Sequence, residues 1–363
     1  MTVLGKNVET ELKDSRPALV FVHLNTAVPK YVWVNMKRTV REFTSLKVVL
    51  ISDLDENLEK AKALGIVARA YKADQELLEL LANRTINAEF RNGFWETSIL
   101  RLFAYLEYVE ASDSPAIHIE SDILLMQDFP WQKLSHLKRL AWLQFNGERD
   151  VAALITCPNS IEAKWLNENL RNEIKLNRMC TDMTLLSEIS KKNKDKIDLL
   201  PIAPNSSSRL FHADSTTETR GSNSALYSEL GGIFDGAALG MWLYGQDPRN
   251  NFGLLKRHVN LVESYIDTSN LQVVYKGGDI FYVEDHQVHK IFNLHLHSKI
   301  QMDFGKLWKF RLLFNSNLAS LPKELNTFAP SKFLELVQEY IEKHGPNPIR
   351  IVKLISERIR SKK

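Results

Sequence analysis

Short apolar runs alternate with amphipathic segments along the first half of the chain. Apolar runs at 18–24, 46–51 and 66–71 have the length of buried strands, and segments with apolar residues at helical spacing separate them. Strands that alternate with helices in this way are typical of βαβ units. The pattern therefore predicts an α/β fold with a mostly parallel sheet flanked by helices.

The clearest helix signal lies at 95–110, where Trp95, Ile99, Leu102 and Leu106 share one face at helical spacing. The other predicted helices are 29–43, 55–64, 74–82, 159–173, 182–189 and 235–244. The other predicted strands are 116–120, 140–145, 151–157, 271–275, 280–283 and 290–297.

Residues 204–223 interrupt this regularity. They are rich in Ser, Thr, Asn and Arg and show no apolar period. We interpret them as a long mobile loop, and loops of this length inside a domain often act as lids over a substrate. The alternative is a passive insertion.

The chain is divided by these patterns into three parts. Residues 1–16 are predicted to be a polar N-terminal tail, 17–300 one catalytic-sized domain, and 301–363 a helical extension. Basic residues and apolar residues at helical spacing make 348–363 a basic amphipathic helix. Such a helix either contacts an anionic membrane surface or packs on its own domain.

Composition narrows the class of protein. Of 363 residues, 44% are hydrophobic and 25% charged, which is ordinary for a globular protein. The net charge of +3 gives no basis for binding nucleic acid. The two cysteines fit no zinc spacing, and neither a leader segment nor an apolar run of spanning length is visible. We therefore expect a cytoplasmic protein, with 348–363 as the segment for peripheral contact at the inner face of a membrane.

Two carboxylates follow the strand predicted at 116–120. The two-residue period of a strand places His118, Glu120 and Asp122 on one side. Carboxylates that point to one place repel unless a proton or a cation lies between them. Mn²⁺ and Mg²⁺ favour carboxylate and phosphate oxygens, so this strand end predicts a divalent cation site. The alternative is a strand-end turn capped by an Asp.

A second feature lies at 290–299. Alternation places Asn293, His295 and His297 on one side of the predicted strand, and neutral imidazole is a common metal ligand. Lys299 follows and could pair with a phosphate. The alternative is an exposed polar strand face.

These segments resemble the nucleotide-sugar glycosyltransferases with the GT-A fold. An apolar strand followed by Glu120-Ser121-Asp122 is similar to their metal-binding motif, although Glu120 stands where the first Asp is usual. Arg101 matches a donor-side Arg that lies about twenty residues before that motif. Segments 181–185, 232–240, 246–250 and 293–299 resemble blocks of bacterial glycosyltransferase-like proteins of surface-polysaccharide biosynthesis.

The resemblance, which covers about 17–299, implies a Rossmann-like GT-A domain. Residues 17–125 would form the nucleotide-sugar half and 126–300 the acceptor half. The implied partners are a nucleotide-sugar donor, with UDP as the expected nucleotide, and a saccharide or lipid-linked acceptor. The implied cofactor is Mn²⁺ or Mg²⁺.

The resemblance also implies roles for single residues. Asp122 would be the main metal ligand, and Glu120 would bind the ion through water or contact the donor ribose. His297 would be the late metal ligand, with His295 as the alternative. Arg101 and Lys299 would neutralise phosphate or orient the donor, and Ser121 is placed with the donor-binding residues.

The first two strands carry further polar residues at their ends. In this fold the end of the first strand meets the nucleotide base, so His23 and Asn25 are expected to contact the base or ribose. Asp53, after the second strand, is a comparable donor-binding residue. The alternatives are a strand-end turn for the first pair and a helix N-cap for Asp53.

Two acids are expected to face the acceptor. Asp182 and Asp235 each lie at the start of a predicted helix. Either could act as the general base if the enzyme inverts configuration, or orient substrates if it retains configuration. The alternative for both is helix capping.

Three functions therefore remain open. The first is a metal-dependent glycosyltransferase. The second is a non-catalytic protein of the same fold that binds a glycan or a partner, which the presence of Glu120 keeps open. The third is a metallohydrolase built on His286, His289, His295 and His297, which is disfavoured because no known hydrolase spacing occurs among them.

Overall fold

The computed structural model describes residues 16–84, 86, 90–91, 93–247, 258–276 and 279–298. The predicted extension at 301–363 and Lys299 lie outside the described residues, as does the N-terminal tail up to residue 15. All of the described residues belong to one compact unit of the chain.

The centre of the fold is a seven-stranded sheet in the order β3-β2-β1-β4-β7-β6-β8. Its strands are β1 (Ala18–Val22), β2 (Lys47–Ser52), β3 (Val67–Ala70), β4 (Ala116–Ile119), β6 (Leu140–Gln144), β7 (Asp150–Cys157) and β8 (Ile197–Leu199). β7 is antiparallel to its two neighbours, and the other four pairings are parallel. The prediction of an α/β fold with a mostly parallel sheet is confirmed.

Helices cover the sheet. They are α1 (Lys30–Glu42), α2 (Asp55–Ala63), α3 (Gln75–Ala82), α4 (Phe94–Ser112), α5 (Trp131–Ser135), α6 (Ser160–Leu176), α7 (Asp182–Lys192), α8 (Thr217–Ser222), α9 (Tyr227–Leu230) and α10 (Ala238–Tyr244). Every residue of β1, β2, β4 and β7 is buried, as expected for strands covered on both faces. None of the helices in the described part of the chain combines the length and the apolar character needed to cross a bilayer.

Two small antiparallel sheets complete the domain. β9 (Val273–Lys276), β10 (Asp279–Glu284) and β11 (Gln287–Ile291) form one of them. β5 (Ile123–Leu125) pairs with β12 (Asn293–His295) to form the other. The strand predicted at 290–297 is therefore divided between β11 and β12. β5 has only three residues, too few for an alternation signal.

The segment at 204–223 is more structured than its composition indicates. Thr217–Ser222 forms α8, which Thr216 caps through its side chain. Phe211 is buried and forms a β-bridge with Ile266. Ser208 and Asn223 are also buried. The buried residues of this segment are isolated and follow no period, so the sequence pattern does not reveal them.

A buried carboxyl on β7 makes the stability of the fold depend on pH. Asp150 is fully buried, and its Oδ2 accepts hydrogen bonds from the Trp142 indole at 2.8 Å and the Ser190 hydroxyl at 2.5 Å. Burial raises the pKa of Asp150 to about 6, and these hydrogen bonds offset part of the effect.

We expect Asp150→Asn to remove this pH dependence. The folded-state pKa of Asp150 lies above its unfolded value of about 4. Its contribution to stability is therefore complete below about pH 4 and is lost as the pH rises through about 6. The free energy of unfolding of the wild type, relative to Asp150→Asn, should fall by up to roughly 3 kcal/mol between pH 4 and pH 8. Urea unfolding at several pH values measures this difference, with the exposed Asp195→Asn as a control. A difference that is constant with pH would contradict it.

Candidate metal and donor site

The chain turns sharply where β4 ends, and this turn holds two carboxylates. Glu120 follows β4, and its amide donates to the carbonyl of Ala153 on β7 at 3.0 Å. The amide of Ile123 donates back to the carbonyl of Glu120 at 3.1 Å. Glu120 and Asp122 lie on the two sides of this turn, with side chains only 13% and 10% exposed. Both carboxylates are therefore presented at the carboxyl edge of β4, where open α/β sheets bind ligands.

The pairing of β5 with β12 brings an imidazole to the same place. His295 lies opposite Ile123 in this pair, and the amide of Leu296 donates to the carbonyl of Asp122 at 2.9 Å. His295 Nε2 is 3.4 Å from Glu120 Oε2 and 3.4 Å from Asp122 Oδ1. One ligand atom from each of the three residues lies within 4.8 Å of the others. Residues separated by about 170 positions thus form one cluster.

A backbone carbonyl fixes the orientation of the His295 ring. Its Nδ1 lies 2.5 Å from the carbonyl of Gly236 and donates to it, which turns Nε2 towards the carboxylates. Burial lowers the pKa of His295, but Asp122, Glu120 and Gly236 outweigh this effect and raise it to about 9. The carboxylates therefore favour the protonated form of this ring, whose Nε2 lies 3.4 Å from each of them.

The donor set fits a divalent cation. Two carboxylates and one imidazole nitrogen are ligands that Mn²⁺ accepts, and Mg²⁺ also favours the carboxylate oxygens. The backbone hydrogen bond at Nδ1 is the outer contact typical of a metal-binding histidine. The three residues supply a partial ligand shell, which leaves positions for water or for phosphate oxygens.

His297 lies beside the cluster. The cluster contains His295, the alternative ligand, and does not include His297, the preferred one. β12 ends at His295, so the register with Ile123 puts this residue beside Asp122. The ring of His297 lies against that of His295, with 4.0 Å between the centroids. Lys299, the predicted phosphate contact, lies outside the described residues.

Arg101 joins the carboxylates to α4. Its Nη2 lies 3.0 Å from Glu120 Oε1, and both side chains are largely buried. Burial lowers the pKa of Arg101, but the carboxylates of Glu120, Asp182 and Asp122 outweigh it and raise the pKa. The guanidinium thus balances charge inside the cluster, and its role in neutralising phosphate or orienting the donor stays a prediction.

Asp182 also interacts electrostatically with Arg101. It is only 6% exposed and begins α7, but Thr181 is the residue that caps this helix, in a capping box with Thr184. The carboxylate of Asp182 is therefore not used as the cap. Burial raises its pKa, and Arg101 opposes the shift.

Asp235 connects two segments next to the cluster through hydrogen bonds to their backbone amides. Its carboxylate accepts from the amides of Leu239 at 3.0 Å, Gly240 at 2.7 Å and His295 at 2.9 Å. Its own amide and carbonyl bond the side chain of Asn293. Burial raises the pKa of Asp235, and the amides oppose the shift. Asp235 therefore ties the start of α10 to β12, although the N-cap of α10 is Ala237.

Two residues of α1 donate hydrogen bonds to the backbone of the loop at 121–125. The sequence analysis did not single them out. Asn35 is 1% exposed, and its side-chain amide donates to the carbonyls of Ile123 at 2.8 Å and Ser121 at 3.4 Å. Arg38 Nη2 donates to the carbonyl of Leu125 at 2.8 Å. The one signal in the sequence is a polar Asn among the buried positions of α1.

The predicted donor residues at the ends of β1 and β2 form a second cluster. The amide of Asn25 donates to both carboxylate oxygens of Asp53, at 2.9 and 3.0 Å, and its side chain donates to the Thr97 hydroxyl at 2.7 Å. The φ of Asn25 is 67°, a left-handed conformation that Asn tolerates. Asp53 is exposed and does not cap α2, whose N-cap is Leu54. His23 lies 3.1 Å from the Thr26 hydroxyl.

The first turns of α4 connect the two clusters. Thr97 bonds Asn25, and Arg101, one turn further on, pairs with Glu120. Residues four positions apart share one side of a helix, so one face of α4 follows the carboxyl edge of β1 and β4. An elongated ligand could contact both clusters along this face.

Comparisons with known proteins add little to this geometry. No family model matches the chain. A probable bifunctional methylthioribulose-1-phosphate dehydratase/enolase-phosphatase E1 of Populus trichocarpa is 30% identical over 132 residues, which is 35% of this chain. The chain spans only 24% of the length of that relative.

Three solved glycosyltransferase structures show a low-level similarity. Mouse xyloside xylosyltransferase 1 has a TM-score of 0.37 and 8% identity, covering 57% of this chain and 93% of that one. The PaToxG glycosyltransferase has a TM-score of 0.33 and 9% identity, covering 52% and 76%. The glucosyl-3-phosphoglycerate synthase of Mycobacterium tuberculosis, solved with Mn²⁺ and UDP, has a TM-score of 0.27 and 11% identity, covering 80% and 93%. Likenesses this weak do not decide the activity.

We expect Gly240→Ala to disturb the site through its support. A Cβ at Gly240 would lie 2.0 Å from the carbonyl oxygen of His295 and 2.8 Å from Asp235 Oδ2. β12 would have to move, at a cost of about 1–3 kcal/mol or more of unfolding free energy. The affinity for Mn²⁺ should fall as well, because His295 moves with the strand. Urea unfolding and calorimetric Mn²⁺ titration measure the two effects.

Gly221→Ala is the matched control. A Cβ at Gly221, in α8, would meet no atom within 4 Å, so stability should hold or rise slightly. Equal stability and equal Mn²⁺ affinity in the two variants would show that Gly240 does not support the site.

Proposed function

We propose that this protein is a metal-dependent glycosyltransferase that uses a nucleotide-diphosphate sugar, with UDP as the expected nucleotide. The observation that carries the proposal is the convergence of Glu120, Asp122 and His295 within 4.8 Å at the carboxyl edge of the sheet. The resemblance of 120–122 to a GT-A metal motif supports the same conclusion. Mn²⁺ or Mg²⁺ is the expected ion.

The reaction exchanges one bond at the anomeric carbon of the donor sugar. The bond to the diphosphate breaks with its electron pair on the phosphate oxygen, a bond to the acceptor hydroxyl oxygen forms, and the hydroxyl proton passes to a base. A bound divalent cation would supply Lewis-acid stabilisation of the diphosphate leaving group. Glu120, Asp122 and His295 would hold that ion, and Arg101 would keep Glu120 in place.

The donor nucleoside is assigned to the cluster at the ends of β1 and β2. Asn25, His23 and Asp53 lie there, and Thr97 continues the line along α4 towards Arg101. Two negative oxygens at Asp53 suit the hydroxyl groups of a ribose, because a carboxylate is a strong acceptor. Ser121 lies between the two metal-binding carboxylates and completes the donor side.

Asp182 is the acid that we assign to the acceptor. Its carboxylate does not cap α7, and its raised pKa makes it a stronger base than an exposed Asp. Asp235 receives a positioning role, because three backbone amides already occupy its oxygens. The acceptor would be a glycan or a lipid-linked saccharide in surface-polysaccharide biosynthesis, and the basic segment 348–363 would serve contact with the membrane.

The two alternative functions make different demands on the site. A non-catalytic glycan-binding protein would bind a donor or glycan without turnover. A metallohydrolase of this kind needs its four histidines together, but His286 and His289 are not in the carboxylate cluster. His289 Nδ1 lies 2.7 Å from the Tyr227 hydroxyl, and His286 is exposed in the turn between β10 and β11. His295 is the one histidine of the described residues in the carboxylate cluster.

We expect Asp122→Asn to abolish Mn²⁺-dependent binding of UDP, because the cluster loses a negative ligand. Calorimetric titration of UDP with and without Mn²⁺ measures the effect, with the exposed Asp55→Asn as a matched control. His295→Ala should weaken this binding at least tenfold, whereas His286→Ala should leave it unchanged. His297→Ala should have a smaller effect than His295→Ala, because His297 supports the ring of His295 from one side.

Unchanged UDP affinity in Asp122→Asn would exclude the carboxylate pair as the metal site. UDP bound with Mn²⁺ but no transfer from any UDP-sugar to water or acceptor would favour the non-catalytic alternative. A larger loss in His297→Ala than in His295→Ala would restore the assignment made from the sequence.

A further inference from the structure

An open cavity lies apart from the metal cluster. It has a volume of about 330 Å³ and is lined by the segment 128–133, by Leu230 and Gly231, and by Lys290 and Phe292. None of the metal-cluster residues lines it. Its volume is at the lower end of the range for small-molecule sites, enough for one ring-sized ligand.

The walls of this cavity are aromatic. Phe129, Trp131 and Phe292 all line it. Phe129 and Phe292 are buried and lie against Phe234, with ring centroids 6.2 and 5.1 Å away, so these two walls are rigid. Trp131 is half-buried at the start of α5 and can offer a face to a ligand. Rigid aromatic walls favour a ligand with an apolar face.

The rim of the cavity is positively charged. Two lysines, Lys133 and Lys290, line it together with a single carboxylate, Asp128. Lys133 Nζ donates to the carbonyls of Glu229 at 2.8 Å and Leu230 at 3.1 Å, which are neutral acceptors that leave its charge uncompensated. Lys290 pairs with Asp128, whose side chain is 58% exposed. An exposed pair of this kind contributes little, so an anionic ligand can compete for Lys290.

The backbone keeps the cavity open. Gly231 lines it with φ of 85°, a left-handed conformation that favours glycine. A Cβ at this position would lie 3.6 Å from Lys133 Nζ and would occupy the space in front of the ammonium. The positive group is thus both anchored by two carbonyls and left accessible.

We infer that this cavity is a second ligand site, for a small anionic molecule with one apolar face and the size of a single sugar ring, such as a sugar phosphate. The anionic group lies between Lys133 and Lys290, and the ring lies against Trp131. Phe292, which lines the cavity, is the residue before the strand that carries His295. The inference goes beyond the proposed transferase activity and does not depend on it.

The experiment is calorimetric titration of glucose 6-phosphate into the full chain, with glucose and inorganic phosphate as comparison probes. It is done in EDTA and repeated in Asp122→Asn, so that the metal site is inactive in both cases. We expect glucose 6-phosphate to bind under both conditions, and at least tenfold more tightly than either comparison probe. Lys133→Met and Trp131→Ala should each weaken it at least tenfold, and the exposed Lys138→Met should not.

Several results would overturn the inference. No binding of glucose 6-phosphate in EDTA, or equal affinity in Lys133→Met and Lys138→Met, removes the site. If glucose binds as tightly as glucose 6-phosphate, the site does not recognise an anionic group. If inorganic phosphate binds as tightly, the site does not recognise the sugar ring. Thermal unfolding of Lys133→Met and Trp131→Ala distinguishes a folding defect from a site defect, because both variants should weaken the probe while the chain stays folded. These outcomes are independent of Mn²⁺-dependent UDP binding, so either proposal can fail while the other stands.

Discussion

Buried negative charge is the constraint around which the site is built. Glu120, Asp122 and Asp182 lie near one guanidinium, that of Arg101, in a region that is largely closed to water. Three acidic side chains thus share one guanidinium, and the carboxylates of Asp122 and Glu120 raise the pKa of His295 to about 9. A divalent cation held here would add positive charge to the cluster and would take the imidazole in its neutral form, which is the form that binds a metal. The surplus of acidic groups over cationic ones favours such an ion.

The fold meets this constraint by bringing supports from several distant segments to one short loop. α1 holds the loop at 121–125 through Asn35 and Arg38, and β12 pairs with β5 on its other side. Asp235 fastens β12 to α10 through three backbone amides, and Gly240 permits the close approach. Each of these supports acts on backbone groups and not on the carboxylates of Glu120 and Asp122.

The sequence predicts most of the sheet, because buried strands and amphipathic helices have periods that can be counted. The carboxylate pair at 120–122 and the late histidines could also be found, since each follows from strand alternation. The choice between His295 and His297 could not, because it depends on where β12 ends and on its register with a three-residue strand. Asn35 and Asp235 acquire their roles from partners 58 to 88 positions away, and local patterns carry no information about such contacts. The anchors within 204–223 were missed for the same reason.

The site consists of two side-chain clusters, and α4 connects them. Thr97 and Arg101 lie one turn apart and connect the ends of β1 and β2 to the end of β4. A ligand with a nucleoside at one end and a diphosphate in the middle has the shape that these clusters could contact together. The cavity between Trp131 and Lys290 is also lined by Phe292, the residue before β12, so the two sites are close along the chain.

The most direct test of the metal site is the position of an ion in a crystal grown with Mn²⁺ and UDP. Anomalous diffraction at the manganese edge identifies the ion independently of the protein phases. The account predicts one strong peak about 2.0–2.3 Å from His295 Nε2 and from oxygens of Asp122 and Glu120, or their bound waters, with UDP phosphate oxygens completing the shell. A peak elsewhere, or UDP bound with no manganese at this cluster, would contradict it.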